Sequence, residues 1–230
     1  MSSSRSLALI RRALSAWCDK AWLYVVYALG VASLAVLVVN WGDLSTPERI
    51  AWVLAAGIPL HVFEENTWPG GFFYMNNLTF GSKEPLVYPQ NRATNMVTNL
   101  GAEVVFILVA ANANALGATV VTVAVFFGIV ELANHTREGI GMRKRFKPQG
   151  KRTVYAPGVA TALFPLFLNA VWGIAWLSAN PFEWAQVLAG VGIGVGIAVC
   201  LILVPFAVNL RVKSKEFAFR SAGYFERYLR

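Results

Sequence analysis

The chain has 230 residues, of which 57% are hydrophobic and only 14% charged. A water-soluble domain covers its surface with about a quarter charged residues, so an aqueous globule is excluded and lipid is the expected solvent for much of the surface. The formal net charge of +8 would suit nucleic acid, but basic residues also gather on the cytoplasmic side of membrane proteins for topological reasons. Membrane lipids are therefore the expected partner, and no nucleic acid.

In chain order, residues 1–20 form a basic arm, followed by six apolar runs at 21–40, 47–65, 93–112, 116–137, 157–179 and 183–210. Each is near the twenty or so residues that a helix needs to cross a bilayer. The fold class is all-α, a polytopic membrane helical bundle of about six transmembrane helices over 21–210, with a basic tail at 211–230. The second run starts with strong helix signals: Ser45 or Thr46 as cap, Pro47 in the first turn and Glu48 at the positive dipole end. Residues 66–92, rich in Gly, Pro, Asn and aromatics, read as an interfacial loop or a lid. Pro59, Pro165 and Pro205 lie inside runs and should kink them. Gly190, Gly192, Gly194 and Gly196 offer a close-packing face for another helix, in the bundle or in a homodimer. Cys18 and Cys200 sit in unrelated settings, so no disulfide is expected.

Orientation follows from charge. Of the 20 Lys and Arg residues, only Arg49 falls near an outer loop if the N-terminus is inside. The inner side then carries Arg143, Lys144, Arg145, Lys147, Lys151 and Arg152, and the tail residues from Arg211 onward. This places both termini in the cytoplasm, of a bacterial inner membrane.

Ionisable groups inside spans are costly and by default mark function. Both histidines are in apolar runs with glutamates at helical spacing: His61, Glu64 and Glu65 in one, Glu131 and His135 in another. Groups three or four residues apart share a helix face, as two ligands of one metal must. Glu103 lies on the third run, with Asn95 and Asn99 before it at four-residue steps. The depths of these residues let the three helices converge on one pocket in the inner half of the membrane. Four glutamates and two histidines match the inventory of dinuclear carboxylate sites, although those use Glu-x-x-His. The donors suit iron first, with manganese or zinc as alternatives, one ion or two. A metal-free acid–base pocket and a purely structural polar network remain as rival readings.

The segment His61-Val62-Phe63-Glu64-Glu65 resembles the HXXEE family of membrane proteins. Glu103, the Glu131–His135 segment and Tyr155-Ala156-Pro157-Gly158 are similar in order, over roughly residues 50–210. The family has no general assigned activity, so the resemblance implies a fold and a site rather than a reaction. Asn134 to Gly139 is similar in outline to emopamil-binding-type sterol isomerases, but the pairing departs from theirs and their activity is not carried over.

The expected function is a membrane-embedded metal-dependent enzyme acting oxidatively on a lipid-like or amphipathic substrate from the cytoplasmic leaflet. Its ligands would be His61, Glu64, Glu65, Glu103, Glu131 and His135, the four glutamates also serving catalysis, with Asn95, Asn99 and Tyr155 supporting them. The alternatives are a zinc hydrolase with the same ligands, a metal-free isomerase and an ion-coupled transporter. Arg137 and Glu138 read as a solvated turn at the membrane edge.

Overall fold

The computed structural model describes residues 2–229. Helix α1 (Ser2–Ala16) runs through a π turn (Trp17–Ala21) into α2 (Trp22–Val39). Next come α3 (Thr46–Asn66), α4 (Phe72–Thr79), α5 (Arg92–Ala111), the single turn α6 (Ala113–Leu116) and α7 (Ala118–Arg145). The short α8 (Val159–Thr161) leads through Ala162–Phe167 into α9 (Leu168–Ala179), and α10 (Trp184–Ile197) leads through Ala198–Leu203 into α11 (Val204–Val212). Among the described residues every regular element is helical, ending in short 3-10 turns at Lys215–Phe217 and Gly223–Tyr228.

Five stretches are long and apolar enough to cross a membrane: Leu9–Val39, Arg92–Ala111, Ala118–Arg145, Val159–Ala179 and Trp184–Val212. The expected second span, α3, has the length, at 21 residues, but it carries Glu48, Arg49, His61, Glu64 and Glu65 and falls outside that group. The physical reason lies in its position. Helix α3 packs against α2, α5, α7 and α9, and its buried residues include Ile50, Leu54, Ile58, His61, Glu64 and Glu65. A helix enclosed by protein has no need to be uniformly apolar. Its start is held by the Glu48 carboxylate, which accepts from the Ser45 N–H and hydroxyl, each at 2.7 Å.

Glycine brings the later helices together. A Cβ on Gly190 would lie 2.6 Å from Thr122 Cβ, so α10 rests directly on α7. Nothing lies within 4 Å of the same point on Gly192 or Gly196, so only part of the glycine run serves packing within the bundle. The helical stretch Val159–Ala179 breaks at Phe164, whose extended backbone (φ −136°, ψ 117°) precedes Pro165. Backbone opened in this way is tolerated at membrane depth only where protein covers it.

The segment 66–92 is more than a loop. Its α4 belongs to a second apolar core, of Phe73, Tyr74, Met75, Met142, Phe146 and Phe225 among others, at the end of the bundle that carries most of the basic residues. Asn77 ties its return by donating to Pro85 O and Gln90 O at 2.8 Å and accepting from Gln90 N–H. The tail folds back over this end. Phe219 stacks on Phe73 with centroids 3.4 Å apart, and Tyr224 N–H donates to Gly70 O at 3.0 Å.

Two cations hold the tail. Arg92 donates to Ala218 O (2.9 Å), Glu216 O (2.6 Å) and Ser15 O (3.1 Å) and pairs with Asp19. Lys151 is 1% exposed. It donates to Tyr155 O at 2.5 Å and lies 4.8 Å from the Tyr224 ring centroid, a distance at which ring and ammonium attract. Burial, with Arg227 beside it, pushes this amine down to about 8.

Two outcomes are expected. Arg92→Ala should cost about 1–3 kcal/mol, because it removes a buried charged donor shared by three backbone carbonyls, and should make the tail protease-sensitive, whereas Arg143→Ala at an exposed position leaves both unchanged; limited proteolysis and thermal melting check this. For Lys151, the unfolded chain binds more protons than the folded one between pH about 8 and 10.5, so stability should rise with pH across that window. Lys151→Met should flatten the rise in thermal midpoint.

Candidate metal centre

Four side chains from α3 and α7 meet inside the bundle. On α3, His61 and Glu65 are one turn apart; on α7, Glu131 and His135 repeat the spacing. The His61 and His135 Nε2 atoms face each other at 3.2 Å, with the rings nearly perpendicular at 89°. Glu65 Oε1 lies 3.4 Å from His61 Nε2 and 3.3 Å from His135 Nε2. Glu131 Oε2 lies 3.6 and 3.2 Å from the same two atoms.

The His61, Glu65 and His135 atoms form a triangle with sides of 3.2–3.4 Å. An ion bound at 2.0–2.2 Å by nitrogen and carboxylate oxygen separates its ligands by roughly 3.3–3.6 Å, the edge of a tetrahedron of that radius. His61, Glu65 and His135, all buried, could hold a metal ion, with ligand atoms within 4.8 Å of one another. The charges agree, because two carboxylates and two neutral imidazoles are balanced by one divalent cation. Among the described residues no Lys or Arg pairs with either carboxylate.

The tautomer of His61 is set from a distance. Glu64 Oε2 accepts from the Thr161 N–H at 2.8 Å and from its hydroxyl at 2.6 Å. With its proton committed to Glu64, the Thr161 oxygen can only accept from His61 Nδ1–H, 2.8 Å away. That leaves the Nε2 lone pair directed at the cage, as a ligand requires. Tyr155 also interacts with Glu64; burial, then the Glu64 carboxylate, holds its phenol above the ordinary value.

The loop Tyr155–Gly158 seats His135. Gly158 has φ +94°, and a Cβ there would overlap the imidazole, so only glycine lets the backbone lie on this ring. Phe72 covers the ring from α4, with centroids 4.9 Å apart. His135 Nδ1 has no partner among the described residues.

The expected six-ligand pocket divides in the structure. Glu64 is turned away from the cage and spent on Thr161, because it sits one residue before Glu65 on a helix whose faces rotate about 100° per residue. Glu103 does not line the cavity beside the cage; it is fully buried with neither oxygen hydrogen-bonded. Asn95 and Asn99 also stay off the cage. They form an amide ladder in which Asn95 Oδ1 accepts from Gln90 and Asn99, both at 2.9 Å, and Asn95 donates to Asn66 at 2.5 Å.

Two residues were missed and one misplaced. Thr161 is 100 residues from His61, and no local spacing links them. Gly158 was noted only as part of a motif. Glu138 is not in a solvated turn: it is 2% exposed, with Oε2 unpartnered. Its offset of seven from Glu131 already put it on the same face of α7.

The cage opens on a cavity of about 230 Å³ lined by His61, Glu65 and Glu131 among others. Glu131 is the most accessible of the four, its side chain 18% exposed against 5% or less for the rest.

Thr161→Val should weaken metal binding by about 10–100-fold, the usual loss for a group that orients a ligand, while Thr161→Ser should preserve it. Competition with a chromophoric chelator reads both.

Comparison with curated proteins and with solved structures returns no match. The family described as "Protein of unknown function with HXXEE motif" matches residues 52–173, which hold α3, α5, α7 and the loop on His135. The motif reads as His61 on the cage, Glu64 fixing its tautomer through Thr161, and Glu65 on the cage. With more than half its length inside that match, the chain belongs to the HXXEE-motif family.

Proposed function

We propose that the chain is a membrane-embedded metal-dependent enzyme in which His61, Glu65, Glu131 and His135 hold one divalent ion. In this reading α3 crosses the membrane as a sixth span at the centre of the bundle, and the basic end faces the cytoplasm. The supporting observation is the set of inter-ligand distances of 3.2–3.6 Å. A second ion would need Glu64 and Glu103, which are engaged or placed elsewhere.

Four protein ligands close a tetrahedral site, whereas a catalytic one keeps a position for substrate or water. Glu131, which faces the cavity and is the most accessible of the four, would be the ligand whose place a substrate group or water could take. Two imidazoles and two carboxylates suit iron, manganese or zinc. With iron, the ion would supply oxidation chemistry toward a bound amphipathic molecule, with dioxygen as the oxidant. With zinc, a released Glu131 would serve as base for hydrolysis.

Elemental analysis of protein purified without chelators should return about one transition ion per chain. His61→Ala, Glu65→Ala and His135→Ala should lose it, and Glu103→Gln should keep it. A fully folded wild-type protein that stays metal-free after incubation with iron, manganese and zinc would falsify the reading and favour proton sharing between the two histidines.

A further inference from the structure

The cavity beside the cage is graded in polarity along α7. Its deep end is apolar, with Phe127 facing Ile58, Ala102 and Ile197. One turn on is Glu131 at the cage, then Asn134, and then Arg137 and Glu138 at the mouth. Toward the basic end a surface groove adjoins the cavity: Thr79, Arg137 and Glu138 line both, and the groove adds Lys144 and Arg145. Arg137, Lys144 and Arg145 are exposed, and none makes an ion pair among the described residues. Glu138 is the one acid at the junction, and three cations outweigh it. On the side facing α11 the cavity is bounded by Phe80 packed edge-on against Phe206, centroids 5.8 Å apart. Phe80 is 54% exposed, so the cavity reaches the surface on this side too.

We propose that this cavity and groove bind a single-chain amphiphile with an anionic head group, a carboxylate or a phosphate monoester. The head lies beside Arg137, with Lys144 and Arg145 farther out along the groove, and the chain runs past Glu131 and ends at Phe127. The proposal deepens the metalloenzyme reading and rests on it only for what happens at the cage. The helix rise sets the scale. From Arg137 to Glu131 is about 9 Å and from Glu131 to Phe127 about 6 Å. An extended chain advances roughly 1.2 Å per bond. The cage therefore faces a carbon roughly seven bonds from the head, and the cavity ends after about a dozen. Chemistry falls on the chain, not on the head group.

The test is equilibrium binding of isotope-labelled alkyl carboxylates and alkyl phosphates of increasing length to the full chain in nanodiscs of zwitterionic lipid. Affinity should rise with length to about a dozen carbons and then stop rising. Replacing Arg137, Lys144 and Arg145 together with alanine should weaken binding at least tenfold. Phe127→Trp should shorten the preferred chain by several carbons while leaving the charge preference unchanged. The two head groups, compared directly, identify which anion is favoured. An alkyl alcohol that binds as tightly as the acid of equal length would overturn the proposal, as would undiminished binding by the triple variant. Displacement of the amphiphile by inorganic phosphate at equal concentration would also overturn it, marking a simple anion site. Metal content is measured on the same samples. Protein that holds its ion but binds no amphiphile defeats this inference alone; protein that binds amphiphile but no ion defeats the metalloenzyme reading alone.

Discussion

Two imidazoles directed at each other between two carboxylates, deep inside an apolar bundle, are the constraint that the rest of the structure answers. Taking two carboxylates out of water costs several kcal/mol each unless a cation and well-placed hydrogen bonds compensate. A shared divalent ion meets that need with the fewest groups. Without one, the four atoms can be reconciled only by distributing protons among them. The surroundings are built to hold the four in place. Helices α3 and α7 each present a His–Glu pair one turn apart, and the rest of the bundle supports those two helices.

That support comes largely from one loop. Residues 155–161 reach both histidines: Gly158 lies flat on the His135 ring, and three residues later Thr161 bonds His61 and Glu64. The helix that follows is broken at Phe164 before it continues as α9.

The basic end of the bundle is also closed by chain rather than left as solvated charge. Arg92 and Lys151 look from their positions like lipid-facing cations, but both are buried and bond to backbone carbonyls. They hold the tail against α4 and the loop before α8, where Tyr224 meets Tyr155 edge to face, centroids 5.6 Å apart, and Tyr155 in turn interacts with Glu64. Arg137, Lys144 and Arg145 remain outward at the mouth of the cavity. Burial therefore divides the basic residues into those that build and those left for a ligand.

The sequence by itself determined the class of fold and the core of the site. Sparse charge and long apolar runs demanded a helical membrane bundle, and i, i+4 spacing put His61 with Glu65 and Glu131 with His135, because helical periodicity is a local property. The weaknesses of that reading share one cause. Whether α3 faces lipid or protein, whether Glu103 reaches the cage, and whether Glu138 meets water all depend on how helices rotate and pack, which no single segment encodes. Thr161 could not be assigned from spacing, since its partner is a hundred residues away. Tertiary structure alone decided that of the two adjacent glutamates in the HXXEE motif, one faces the cage while the other turns to a threonine hydroxyl and fixes the histidine tautomer.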